Sequence, residues 1–165
     1  MKDAMMDTSA LINKLKQEAL AITTAESCTG GMIMAELTSV SGASDVIDQG
    51  FVTYANEAKE TLLGVHGDTL ATYGAVSGET AFEMVTGALS AAKRASAAIA
   101  VTGVAGPSGG SKDKPVGTVW IATAITGHAP LVKHYLFDGD RNQIRQQVVH
   151  HAIDQMLNQF SSISG

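Results

Sequence analysis

The sequence predicts an α/β fold, a three-layer α/β/α sandwich on a mixed sheet with a parallel core and an antiparallel hairpin. Three observations carry that expectation. Short apolar runs rich in β-branched residues alternate with segments whose apolar residues recur at helical spacing. One run, Ala97-Ala98-Ile99-Ala100-Val101-Thr102, is nearly continuously apolar, as in a strand covered on both faces. Residues 118–125 and 131–137 flank a turn containing Gly127 and Pro130, which is the pattern of a hairpin.

Each element has its own local reason. Thr8 or Ser9 is placed to cap a first helix with Leu11, Ile12, Leu15, Ala19 and Leu20 on one face. Residues 20–24 read as the first strand, and a helix from Met32 to about Thr38 follows, ended by the breaker at 39–44. A second strand is expected at 49–54, with Asn56 as N-cap of a helix that ends at Leu63 before Gly64. A short helix spans 66–73, capped near Asp68. A long one starts at Ser77 with the stripe Ala81, Met84, Val85, Ala88, Leu89 and Ala92, and with Lys93 and Arg94 suited to its carboxyl end. The apolar strand then enters 103–117, the longest irregular segment, and loops of that length in compact domains tend to be functional. The spacing Gly103-x-x-Gly106-x-x-Gly109 is wrong for a dinucleotide fingerprint and leads into a strand rather than a helix, which excludes a Rossmann assignment. Asp140 as N-cap with Gln143 at the capping-box position opens the closing helix, which runs to about Phe160 ahead of a short polar tail.

Composition narrows the function. The 165 residues are 45% hydrophobic, enough for one domain over 1–165 with a substantial core. No run is long and apolar enough for a membrane span, and residues 1–7 lack a signal-peptide pattern, so a cytoplasmic protein without a membrane partner is expected. A single cysteine excludes an internal disulfide. The net charge of −5 argues against nucleic acid as a partner, since phosphate backbones are bound mostly through concentrated Lys and Arg. Five histidines fall in no metal-ligand spacing, so no metal and no cofactor are expected. Apolar helices and seven methionines are compatible with a homodimer.

The chemistry concentrates in Thr24-Ala25-Glu26-Ser27-Cys28-Thr29-Gly30-Gly31, a strand-to-helix turn too polar and too small for a core. Ser27, Cys28 and Thr29 offer candidate nucleophiles or donors. Gly30 and Gly31 would let an anion approach the unpaired N–H groups of a helix start. In an ordinary turn the hydroxyls would instead cap the helix and Glu26 would be solvated. Lys59 and Arg141 each fall in the first turn of a helix, where the dipole disfavours a cation. Lys59 is then either exposed or held near the strand ends as a base of lowered pKa, and Arg141 either solvated or paired with an anion. The turn at 24–31, the corner from Tyr54 to Lys59 and the loop after Thr102 all lie at strand carboxyl ends, where open α/β sheets bind ligands.

These segments are also similar to a known family. The turn at 24–31, Gly50-Phe51-Val52-Thr53-Tyr54-Ala55-Asn56-Glu57-Ala58-Lys59, Gly74-Ala75-Val76-Ser77, Thr102-Gly103-Val104-Ala105-Gly106-Pro107 with Gly109-Gly110, Lys114-Pro115-Val116-Gly117-Thr118-Val119 and Gly139-Asp140-Arg141 resemble, in order, the CinA carboxy-terminal domain family. The resemblance implies its stand-alone form. It also implies a nicotinamide mononucleotide deamidase, which hydrolyses the carboxamide to nicotinate mononucleotide and ammonia.

Such a reaction needs a nucleophile, a base, oxyanion donors and an acid for the departing ammonia. The residues supply Ser27 as nucleophile, Lys59 as base with Tyr54 as its proton-sharing partner, and the backbone N–H groups of Thr29, Gly30 and Gly31 as the oxyanion hole. Thr102, the backbone from Gly103 to Gly106, and Arg141 would hold the ribose phosphate of a phosphorylated pyridine nucleotide. Cys28 and Ser44 remain alternative nucleophiles. The competing readings are a nucleotide-binding module without chemistry and a partner-binding domain linked to competence or damage responses.

Overall fold

The computed structural model describes residues 4–164, so the first three residues of the segment read for a signal peptide lie outside the described part. Five strands form one sheet in the order β2-β1-β3-β4-β5: β1 (Ala21–Glu26), β2 (Ile47–Val52), β3 (Ala95–Gly103), β4 (Thr118–Ile125) and β5 (Leu131–Leu136). The β1 strand pairs in parallel with both β2 and β3, while β3–β4 and β4–β5 are antiparallel. Helices α1 (Ala4–Glu18), α2 (Met32–Thr38) and α6 (Arg141–Ser164) cover one face. On the other lies α5 (Gly78–Ala91), with α3 (Asn56–Leu63) and α4 (Gly67–Tyr73) beside it. This is the expected α/β/α sandwich with a mixed sheet.

The continuous apolar run of β3 divides its two faces by size. Ile99 and Val101, with Val119 and Ile121 of β4, pack toward α1, α2 and α6 among Leu11, Leu15, Ile33, Leu37, Val148 and Met156. Ala98 and Ala100, with Ala122 and Ala124, face Ala81, Met84, Val85 and Ala88 of α5. Large branched side chains fill the layer under three helices, and alanines let one helix lie close to the sheet. Each buried Leu or Ile contributes roughly 1.5–3 kcal/mol by leaving water.

Several caps form where the local sequence dictates them. Asp140 Oδ1 accepts from the Gln143 N–H at 2.9 Å and Gln143 Oε1 accepts from the Asp140 N–H at 2.8 Å, the reciprocal capping box. Ser77 Oγ accepts from the Thr80 N–H at 3.1 Å, and Gly64 ends α3 at φ +70°.

Other boundaries moved. Helix α1 starts before Thr8, whose hydroxyl donates to Glu36 of α2 at 2.7 Å instead of capping. Asn56 is the first residue of α3 rather than its cap, and His66 rather than Asp68 caps α4. Helix α5 ends at Ala91, short of Lys93 and Arg94, and α6 runs past Phe160 to Ser164. The β2 strand sits two residues earlier than expected, at Ile47–Val52, while β1 runs on to Glu26. That extension is what builds the site. The Ser27 N–H donates to the Val101 carbonyl of β3 and the Thr53 N–H to the Glu26 carbonyl, so the chain after β1 is held between the ends of its two neighbours. No helix among the described residues is long and apolar enough to cross a membrane.

Candidate active site

At the carboxyl ends of β1, β2 and β3 lies a cavity of about 350 Å³, lined among others by Ser27, Cys28, Tyr54, Lys59, Thr102 and Arg141. Backbone from Gly103 to Gly106 forms one wall, and Ala75 and Val76, in the turn before α5, form another. A separate groove between α2 and α6 is mainly apolar and holds none of the candidate nucleophiles.

Lys59 organises the cavity. It stands on α3 but its side chain is fully buried, running back to the strand ends. Its Nζ donates to Ser27 Oγ at 3.1 Å, to the Thr53 carbonyl at 2.6 Å and to the Tyr54 carbonyl at 3.3 Å. Among the described residues no carboxylate pairs with it. Burial therefore lowers its pKa below the ordinary 10.5, with a smaller opposing push from Cys28. Burial thus shifts the balance toward the neutral amine.

Cys28, adjacent to Ser27, has the opposite fate. Only 5% exposed, its thiol is pushed up to about 12, chiefly by burial. A thiolate is the reactive form of cysteine, so this residue behaves as a core side chain. Ser44 is exposed in the short 3-10 turn Ala43–Asp45, ahead of β2 and thus at the opposite end of the parallel strands from Ser27.

The turn after β1 differs from the oxyanion hole expected there. Glu26, only 1% exposed, folds into the start of α2. Its Oε1 accepts from Thr29 Oγ1 at 2.5 Å and from the N–H groups of Gly31 and Ile33 at 3.2 and 2.9 Å; its Oε2 accepts from the Met34 N–H at 3.0 Å. The Gly30 N–H donates to the Ser27 carbonyl. The positive end of the helix is thus already occupied by the chain's own carboxylate, and Thr29, Gly30 and Gly31 do not line the cavity.

Tyr54 also differs from expectation. Lys59 meets its carbonyl, whereas its hydroxyl accepts from Arg141 Nη2 at 3.3 Å, on a residue that is 62% exposed. Arg141 Nη1 donates to the Gly106 carbonyl at 2.6 Å, so the guanidinium spans the β2 and β3 loops at the cavity mouth. Thr102 is buried, and its hydroxyl donates to the Ala75 carbonyl at 2.7 Å, tying the turn before α5 to the cavity.

Two residues escaped sequence reading. Glu26 has no role in the expected site; only the ordinary-turn alternative places it, in solvent, and no pattern marks a glutamate for burial after a strand. Arg145 donates from Nε to the Cys28 carbonyl at 3.0 Å and from Nη2 to the Thr29 carbonyl at 3.2 Å. A signal for it existed: it falls four residues after Arg141, one turn along the same helix face.

The CinA C-terminal domain model matches residues 6–160. The nicotinamide-nucleotide amidohydrolase PncC of Escherichia coli strain K12 is 46% identical over 146 residues, 88% of each chain. A CinA-like protein of Kosmotoga olearia is 42% identical over 144 residues, which is 87% of this chain and 34% of that longer one. The crystal structure of the competence/damage inducible protein CihA from Agrobacterium tumefaciens superposes with a TM-score of 0.92 at 44% identity, covering 94% of both chains. By family model, sequence and architecture together, this chain belongs to the CinA C-terminal domain family.

Proposed function

We propose that this chain is an amidohydrolase that converts nicotinamide mononucleotide and water to nicotinate mononucleotide and ammonia, with Ser27 as nucleophile and Lys59 as general base. The observation that carries the reading is the 3.1 Å contact between Lys59 Nζ and Ser27 Oγ inside a lined cavity. The substrate follows from the 46% identity to a nicotinamide-nucleotide amidohydrolase.

A neutral Lys59 has two N–H bonds and one lone pair. The ammonium donates to Ser27 Oγ and to the Thr53 and Tyr54 carbonyls; once it is neutral, the two carbonyls keep its two N–H groups and the lone pair takes the place of the third, turned to the Ser27 hydroxyl. Ser27 Oγ attacks the amide carbon as its proton passes to Lys59 Nζ. When the tetrahedral intermediate collapses, the carbon–nitrogen bond breaks and the lysine ammonium returns that proton to the departing amine, releasing ammonia. Water, deprotonated by the same lysine, then cleaves the Ser27 ester and frees the carboxylate. With the N–H groups of Gly30 and Gly31 committed within their own turn, the oxyanion falls to amides that face the cavity. Arg141 and the backbone of 103–109 at the mouth are suited to the phosphate.

A nucleotide-binding module would not need a buried lysine without a carboxylate partner, a placement that disfavours the ammonium form. The expected cytoplasmic setting and homodimer belong to the same proposal, and sedimentation of the purified chain tests the second. The deciding experiment is ammonia release from nicotinamide mononucleotide by the folded protein, with nicotinate mononucleotide identified by chromatography. Turnover supports the reading, and its absence across a range of pH overturns it.

A further inference from the structure

The turn that presents Ser27 is gripped by two side chains of opposite charge. From within, the Glu26 carboxylate takes three backbone N–H groups and the Thr29 hydroxyl. From α6, the Arg145 guanidinium takes the carbonyls of Cys28 and Thr29, two successive acceptors spanned by Nε and Nη2. We infer that Arg145 is a positioning residue for the reaction, holding the turn so that the Ser27 hydroxyl stays against Lys59.

The turn needs such a grip. Gly30 and Gly31 sit at φ +59° and +111°, and glycine is the residue with the most backbone freedom to lose. Beyond the Ser27 N–H, nothing in the turn belongs to the sheet. Attack on an amide requires the nucleophile to be held within about 0.5 Å of its productive position. Glu26 takes N–H groups of the turn, and the Ser27 and Thr29 carbonyls accept from the Gly30 and Met32 N–H groups within it; Arg145 takes the Cys28 carbonyl and adds a second donor to that of Thr29, which ties the turn to α6. Arg145 does not line the cavity, whereas Arg141, one turn earlier, does. The two arginines therefore divide the work: Arg141 faces the ligand, and Arg145 acts only through the backbone that carries the nucleophile. A lysine at 145 could not reproduce this, because a single ammonium lacks the planar fork that bridges two carbonyls.

The inference rests on Ser27 as the attacking group, and its test combines kinetics with a measurement that needs no substrate. Arg145→Met and Arg145→Lys are purified, and kcat and KM for ammonia release from nicotinamide mononucleotide are measured across pH. Amide hydrogen exchange of peptides covering 26–34 is followed in the same proteins. Displacements of about 1 Å cost on the order of 100-fold in rate. On that scale, kcat of Arg145→Met should fall at least about tenfold, with KM within about threefold of wild type and the pH midpoint unmoved. Exchange should quicken in 26–34 and not in β3 or β4, and Arg145→Lys should restore neither property fully. A folded Arg145→Met with unchanged kcat overturns the inference, as does a loss confined to KM, which would make Arg145 a substrate contact. If Arg145→Met does not fold, Arg145→Lys is judged by the same criteria. If wild type shows no turnover, the proposed reaction fails by itself. Exchange then decides the grip: faster exchange confined to the turn supports it, and unchanged exchange overturns it.

Discussion

Lys59 Nζ lies 3.1 Å from Ser27 Oγ, although the two residues belong to different elements and are 32 positions apart in the chain. The contact exists because helix α3 follows β2 so closely that a lysine in its first turn reaches back to the strand ends. There the Thr53 and Tyr54 carbonyls hold its nitrogen. Without a carboxylate partner, burial weakens its hold on the proton.

Lys59→Met keeps the buried volume and removes the base. Ammonia release should fall at least about 100-fold. Stability should respond in the opposite sense. The folded protein holds the Lys59 proton less tightly than the unfolded chain does. Between the lowered folded value and 10.5, unfolding therefore takes up a proton, and stability rises with pH. The penalty of burying the charge is complete below the folded value and is relieved toward 10.5. Urea unfolding of wild type and variant between pH 7 and about 9 should show the variant gaining most at the low end, since that penalty is absent in it. An equal difference at every pH would show that Lys59 does not titrate in this window.

Tyr54→Phe separates two roles for that residue. Its hydroxyl meets Arg141 rather than Lys59, so its removal should raise KM by less than about tenfold, the worth of roughly one hydrogen bond, and leave the pH midpoint of kcat in place. A shifted midpoint would instead restore the proton-sharing partnership expected from the sequence.

Cys28→Ala should retain most of the activity, because a thiol held up to about 12 supplies almost no thiolate near neutrality. In the native protein, iodoacetamide at pH 8 should label Cys28 far more slowly than in urea, as judged by mass spectrometry. The raised value also makes unfolding release a proton above pH 9.0, so wild type should lose stability there relative to Cys28→Ala. Rapid native labelling would show that the thiol is open to solvent.

Gly87→Ala tests how α3 is seated. A Cβ at Gly87 of α5 would come within 1.8 Å of the Leu63 carbonyl at the end of α3, so the two helices must separate to admit it. Overpacking of this kind costs roughly 1–3 kcal/mol, enough to lower the thermal midpoint by several degrees. Because α3 carries Lys59, kcat of the surviving folded protein should fall as well. An unchanged melting curve would show that the helices can part freely.

The sequence by itself determined the layers and the places where chemistry gathers. Alternating strand and helix patterns, the uninterrupted run at 97–102 and the hairpin at 118–137 are local in origin, so the sandwich and its mixed sheet were legible. Ser27, Lys59, Thr102 and Arg141 were nameable because a hydroxyl in a glycine turn, or a cation at a helix start, departs from what the local element prefers. Tertiary structure alone decided what those residues touch. It gave the Tyr54 hydroxyl to Arg141, committed the Gly30 and Gly31 amides within their turn and buried Glu26. The reason is electrostatic. A carboxylate leaves water only where enough donors converge on it, and the four donors around Glu26 converge only once β1 has ended and α2 has begun. The same holds for Arg145, whose acceptors lie more than a hundred residues away in the chain and become neighbours only when α6 packs against α2.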